Sequence, residues 1–295
     1  MKTIGIFNPS SPSYSPINME KINAWFKEKG FDVAQATHLF SYERFLSGTD
    51  KERASDVMEL FKDKNIDLML AMKGGYGSAR ILDLLDFDEI KKNKKPLIGF
   101  SDTTALQLGL WAKAGLKSWT GLSPRRDIAD AVNVDKMLEK SFDLVLKNGS
   151  ISLALQPLSK KHKDVSGALI GGTLSLVSEL IGTAYQPDFK NCLLFLEDVM
   201  EEPYKIDRML TQLRLAGVFD QVAGVIFGDF YKCISSDEND GLMVEVLMDL
   251  SERLPNVQMW TGLPYGHSDT RIIMPIGSQG QISKDTLSFE YDLFA

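Results

Sequence analysis

The chain has 295 residues, 44% hydrophobic and 25% charged, the balance of an ordinary globular protein with room for two cores of about 150 residues each. Its 40 acidic and 33 basic residues leave a formal charge of −7, so no global basic field draws in nucleic acid or an anionic membrane surface. The first apolar run is too short for a signal-peptide core, no window approaches the roughly 18 apolar residues of a membrane span, and Cys192 and Cys233 lack metal-ligand spacing, which together predict a reduced, cytoplasmic protein.

Residues 3–7 read as a strand, Asn8-Pro9-Ser10-Ser11-Pro12 as a loop, 17–29 as an amphipathic helix closed by Gly30, and 31–36 as a second strand. A helix over 50–64, with Ala54, Val57, Met58 and Phe61 on one face, leads to a strand over 67–72. This alternation predicts a parallel sheet covered on both sides. At the carboxyl end of that strand, where open α/β sheets place ligands, stands Lys73-Gly74-Gly75-Tyr76-Gly77. Glycines here let backbone N–H groups approach a ligand closely. A phosphate loop is a competing reading, weakened because neither the GxGxxG nor the GxxxxGK(S/T) spacing is present, and a plain tight turn is the simplest one. A helix follows over 78–85, and the run Lys91-Lys92-Asn93-Lys94-Lys95 reads as a solvated helix end.

Residues 96–100 form a short apolar strand opened by proline, and 105–114 a helix apolar almost all round. Ser101 lies at the joint. A strand-to-helix turn lifts one side chain out of the sheet beside unpaired N–H groups and the positive end of the helix dipole, so Ser101 is a candidate nucleophile and the N–H of Asp102 a candidate oxyanion donor. The pattern Gly99-Phe100-Ser101-Asp102-Thr103 is similar to the nucleophile elbow of esterases without its last glycine; the alternative is that Ser101 or Asp102 merely caps the helix. Beyond it, 118–121 reads as a strand, 134–146 as a helix and 151–158 as a strand.

Ser159-Lys160-Lys161-His162-Lys163-Asp164 is the most polar break in the chain and predicts a linker over 159–166 between domains spanning 1–158 and 167–295. In the second half, Gly171-Gly172-Thr173 opens a helix to Ile181, 192–196 is a strongly apolar strand, 204–216 a helix and 222–227 a strand. Segments over 245–253, 258–261 and 271–276 complete a second α/β or α+β unit. A serine nucleophile needs a base, and there are three histidines. His162 sits in the lysine-rich linker and His38 follows the second strand, whereas His267 stands in the loop Leu263-Pro264-Tyr265-Gly266-His267-Ser268-Asp269, where functional side chains concentrate. Glu197 ends the apolar run Cys192-Leu193-Leu194-Phe195-Leu196 and is the candidate carboxylate for orienting the imidazole; Asp198 is the alternative, and strand alternation sends the two to opposite faces.

These residues resemble the LD-carboxypeptidase family of serine peptidases, the muramoyl-tetrapeptide carboxypeptidases, with their microcin C immunity branch. The likeness runs through Ser10-Ser11-Pro12, Gly74-Gly75-Tyr76-Gly77, Gly99-Phe100-Ser101-Asp102, Gly171-Gly172-Thr173, Phe195-Leu196-Glu197-Asp198, Tyr204-Lys205-Ile206-Asp207-Arg208, Gly266-His267 and Pro275-Ile276-Gly277. It implies an α/β protein with an N-terminal Rossmann- or flavodoxin-like domain carrying the serine and a smaller C-terminal α/β (α+β) domain carrying acid and base. It further implies a triad of Ser101, Glu197 and His267, an oxyanion hole from the backbone at Gly75 and Asp102, and substrate contacts at Tyr76, Gly172 and Thr173. A homodimer without metal or cofactor goes with that family. Lys73 stands where arginine is frequent, Gly121-Leu122-Ser123-Pro124 lacks a histidine often found there, and Thr270-Arg271 follow the histidine where asparagine is common; these departures bear on substrate contacts.

Three functions follow. One is removal of the terminal D-alanine from murein tetrapeptides in peptidoglycan recycling. A second is hydrolysis of microcin C-type peptidyl nucleotides, against which stands the lack of a tryptophan between Trp119 and Trp260 to stack on adenine, although Tyr185, Phe189 and Tyr204 could substitute. The third is a non-enzymatic protein that holds a small ligand between its domains.

Overall fold

Four of the five α-helices described in the first half begin at a side-chain cap. The computed structural model describes residues 2–158, 163–235, 237 and 241–292. In order come β1 (Lys2–Phe7), α1 (Met19–Glu28), β2 (Phe31–Gln35), α2 (Asp50–Lys62), β3 (Leu68–Ala71), α3 (Phe87–Lys92), β4 (Leu97–Gly99), α4 (Thr103–Ala114), β5 (Ser118–Thr120) and α5 (Lys136–Leu146). Thr49 and Glu52 form a capping box at the start of α2, Asp86 and Asp135 cap α3 and α5, and Gly115, in the left-handed conformation, ends α4. The helix expected over 78–85 is instead a 3-10 segment, Ser78–Leu84. Its first residue is tied sideways, the N–H of Ser78 to the Asp102 carboxylate and its hydroxyl to the Asp102 carbonyl, which holds the entry away from α-helical geometry.

The second half contributes β6 (Ser150–Ala154), β7 (Gln156–Pro157), β8 (Val165–Thr173), α6 (Leu174–Glu179), β9 (Leu193–Val199), α7 (Pro203–Leu215), β10 (Gly224–Tyr231), α8 (Met243–Arg253), β11 (Met259–Thr261), β12 (Met274–Ile276), β13 (Gln279–Ser283) and β14 (Thr286–Glu290). Residues 151–158 thus form two strands rather than one. The strands β13 and β14, absent from the sequence reading, alternate buried and exposed residues in short polar segments such as Gln279-Gly280-Gln281, which hides their period.

Five parallel strands in the order β2-β1-β3-β4-β5, the flavodoxin-like arrangement, make the first sheet, and β12 adds antiparallel to β5. The second sheet runs β6-β14-β13-β8-β9-β10-β11-β7, parallel from β8 to β11 and antiparallel elsewhere. Its two edge strands are joined through Leu155 alone, so the sheet must curl toward itself. Sheet membership crosses the boundary expected at 158: β6 and β7 belong to the second sheet, and β12 returns to the first. Residues 159–162 of the expected linker, His162 among them, lie outside the described residues.

Helix α4 explains its own composition. Every residue from Thr103 to Leu110 is buried, because the helix packs on β4 and β5 beneath and also touches α6, β8 and β12. It is the wedge between the two units. Burial pushes the thiols of Cys192 and Cys233 up to about 12 and about 11, the condition of inert core cysteines. Among the described residues, no helix is long and apolar enough to cross a membrane.

Candidate active site

The carboxyl ends of β1, β3 and β4 lie side by side, and each delivers a short polar loop to the same edge. Ser101 follows β4 with φ of 62°, a left-handed conformation that an L-residue adopts at a cost of roughly 1–2 kcal/mol. That strain turns the side chain out of the strand. The glycine turn after β3 presses against it: a Cβ on Gly74 would lie 2.7 Å from the Ser101 Cβ, so only glycine lets the two loops meet.

Asp102 does not cap α4, since its carboxylate makes no bond to the helix it precedes. Buried at 2% exposure, it accepts from the Ser10 hydroxyl, from the N–H of Gly77 at 3.1 Å and from the N–H of Ser78 at 2.9 Å. The N–H of Tyr76 is taken by the Ser11 hydroxyl at 3.0 Å. The loops after β1, β3 and β4 are therefore clasped around one carboxylate. Gly75, at φ of 121°, sits in the middle of this clasp, and its N–H and that of Asp102 have no hydrogen-bond partner among the described residues. Both flank Ser101, as donors to an oxyanion would.

The candidate acid stands in the second sheet, and the candidate base in the loop that leads from β11 to β12. Glu197, fully buried in β9, accepts from His267 Nδ1 at 2.7 Å through Oε2 and from the Thr173 hydroxyl at 2.6 Å through Oε1. Beside an ionised carboxylate, which only accepts, Nδ1 is the donating nitrogen of the ring. The His267 ring lies 4.5 Å from the Phe100 ring, centroid to centroid, and both His267 and Ser101 line one cavity of about 260 Å³ with Lys73, Gly74, Gly75, Ser123, Arg125, Arg126 and Asp130. Asp198 faces the other way, accepting from the N–H groups of Ser175 and Val199, each at 2.8 Å, and burial pushes its carboxyl up to about 6. His38 is paired with Asp56 at 2.8 Å, a hydrogen bond that raises its pKa, and does not line the cavity.

Thr173 is buried on the carboxylate it serves, Gly172 packs against Thr104, and Tyr76 is 47% exposed with its ring 5.7 Å from that of Phe45; none of the three lines the cavity. Several residues that hold the site went unread in the sequence. Tyr265 reaches across to β5, its hydroxyl 2.8 Å from that of Thr120 and its ring edge-on to Phe100 and Phe195, which seats the histidine loop on the first sheet. Arg126 donates to the carbonyls of His267 at 2.6 Å and Ser268 at 3.2 Å. Arg271, 1% exposed, donates to the carbonyls of Gly121 at 2.8 Å and Ser268 at 3.1 Å and pairs with buried Asp127. The departure at Arg271 is thus a strut behind the loop rather than a cleft residue. Its signal was a charged residue beside Ile272 and Ile273 in an apolar run, the same cue that singled out Glu197. Among the described residues no group of three or more His, Cys, Asp or Glu side chains converges as metal ligands would.

Residues 4–121 match the model of the LD-carboxypeptidase N-terminal domain and residues 166–282 that of the LD-carboxypeptidase C-terminal domain. A probable murein peptide carboxypeptidase of Bacillus subtilis is 31% identical over 287 residues, covering 95% of this chain and 88% of the relative. The microcin C7 self-immunity protein MccF of Escherichia coli is 26% identical, covering 96% and 91%. The crystal structure of muramoyltetrapeptide carboxypeptidase from Oxalobacter formigenes superposes with a TM-score of 0.87 at 27% identity, over 98% of each chain.

Proposed function

Because the chain belongs to the LD-carboxypeptidase family, we propose that it is a serine peptidase that removes the terminal D-alanine from murein tetrapeptides by a Ser101-Glu197-His267 triad. The observation that carries this reading is the Glu197–His267 hydrogen bond at 2.7 Å together with the one cavity that His267 and the strained Ser101 both line. Ser101 Oγ attacks the carbonyl carbon of the L,D-peptide bond while His267 Nε2 takes its proton. The N–H groups of Gly75 and Asp102 receive the oxyanion, and the imidazolium is stabilised by Glu197. His267 then hands the proton to the departing amine of D-alanine, and water, deprotonated by the same nitrogen, hydrolyses the acyl-enzyme.

A second reading keeps the triad and changes the substrate to a microcin C-type aminoacyl adenylate; the identity with the E. coli self-immunity protein over nearly the whole chain favours it. One experiment separates them. The protein and its Ser101→Ala variant are incubated with a murein tetrapeptide and with an aminoacyl-adenylate analogue, and products are followed by mass spectrometry. Serine-dependent loss of D-alanine is the expected result. Cleavage of the adenylate analogue alone moves the protein to the second reading, and wild-type rates in Ser101→Ala refute the triad.

A further inference from the structure

Three cations, Lys73, Arg125 and Arg126, and the carboxylate of Asp130 line the cavity with Ser101 and His267, and the cations are not equivalent. Arg125 is consumed, its Nε on Asp130 at 2.6 Å, its Nη1 on the Ser15 carbonyl at 2.9 Å and its Nη2 on the Ser15 hydroxyl at 2.7 Å. Arg126 turns one nitrogen, Nη2, to the carbonyls of the histidine loop and to Asp269 at 3.5 Å. Lys73 is different: its ammonium donates only to the Pro12 carbonyl, at 3.0 Å, and lies 6.0 Å from the Tyr14 ring centre, with no carboxylate in pairing distance among the described residues. Burial and the neighbouring Arg125 lower its pKa, against the weaker opposing pull of Asp130. It is also placed by the most constrained part of the site, since the next residue, Gly74, abuts Ser101 and the one after supplies the proposed oxyanion donor.

A peptide cut at its last bond carries a carboxylate three bonds from the scissile carbon, so a group that binds it must stand beside the nucleophile and face the same cavity. Lys73 meets both conditions, and its remaining N–H donors are free for a charge-assisted hydrogen bond. We infer that Lys73, in the field of Arg125, binds the α-carboxylate of the substrate's C-terminal residue and so confines cleavage to the last bond. This rests on the peptidase reading above. Arg125 is a positioning residue here: with Nε on Asp130 and both Nη atoms on Ser15, it contributes charge and holds the loop around Ser15.

The inference makes the terminal carboxylate a specificity determinant. Wild-type protein, Lys73→Met, Lys73→Arg and Ser101→Ala are assayed on a murein tetrapeptide with a free C-terminus and on the same peptide with a C-terminal amide, taking the ratio of kcat/KM values. Wild type prefers the free acid by about 100-fold, the size of effect expected from one lost charge-assisted contact in a half-buried site. Lys73→Met brings that ratio to within about threefold of unity, and Lys73→Arg restores at least a third of the wild-type ratio. Wild-type cleavage of the free acid with an unchanged ratio in Lys73→Met overturns the role of Lys73 and leaves the peptidase reading standing. Absence of serine-dependent cleavage in wild type overturns the peptidase reading itself, and this inference with it.

Discussion

Replacing Glu197 by Gln tests the arrangement at its most buried point. The amide matches the carboxylate in size, and its Oε1 can still accept either the Thr173 hydroxyl or the His267 Nδ1 proton, so the fold around β9 is preserved while the charge is lost. When His267 takes the serine proton, the wild-type carboxylate, 2.7 Å from Nδ1 and fully buried, faces a positive ring. With charge centres about 4 Å apart and an effective dielectric constant of about 20, the attraction is about 4 kcal/mol. At 1.36 kcal/mol per decade, kcat/KM for release of D-alanine falls roughly 10³-fold. The assay follows D-alanine from a murein tetrapeptide, with Ser101→Ala as the floor and a thermal melt as the control for folding. A loss under about tenfold with an unchanged melt refutes the role assigned to Glu197.

Gly75→Ala places a Cβ 2.4 Å from the Ser11 hydroxyl at a φ of 121°, so the glycine turn must shift; steady-state kinetics are expected to show kcat lowered by about 10²–10³ with KM changed far less, and kcat within twofold of wild type rules out Gly75 as an oxyanion donor. Arg271→Met leaves the Asp127 carboxylate buried without its partner, which costs about 3–5 kcal/mol and lowers the melting temperature by about 10 °C. The double variant Arg271→Met/Asp127→Leu regains part of that loss; a melt unchanged in the single variant contradicts the strut. Asp198 titrates near 6 when folded and close to the ordinary Asp value when unfolded, so the native state binds the extra proton between about pH 4 and 6, and stability falls as pH rises through that window. The fall amounts to something on the order of 3 kcal/mol. Denaturant titrations of Asp198→Asn are expected to lose this component, and an identical slope in the variant means that the buried carboxyl at 198 is not its source.

The parallel sheet of the first half was legible because short apolar runs such as β1 and β4 stop at Asn8 and Gly99, and because helices such as α2 carry one apolar face. Ser101 was legible for the same reason: a hydroxyl between a buried strand and a buried helix has few other positions to occupy. Glu197 and His267 stood out as a charge ending an apolar run and an imidazole in a glycine-and-proline loop. The short polar strands β13 and β14 were not legible, since their pairing partners are far away in sequence and no apolar period announces them.

What local sequence determined, then, was which chemical groups stand at the ends of strands. Their meeting was decided by tertiary structure, because α4 is buried from both sides and draws the two sheets together, and Tyr265, Arg126 and Arg271 pin the histidine loop across the gap. The same packing turned Thr173 toward Glu197 and Asp102 toward the glycine turn, roles that depend on neighbours 24 and 92 residues away, as Thr173–Glu197 and Ser10–Asp102 are. A carboxylate's partner over such a span is set by how whole elements pack, and no local pattern of residues encodes it.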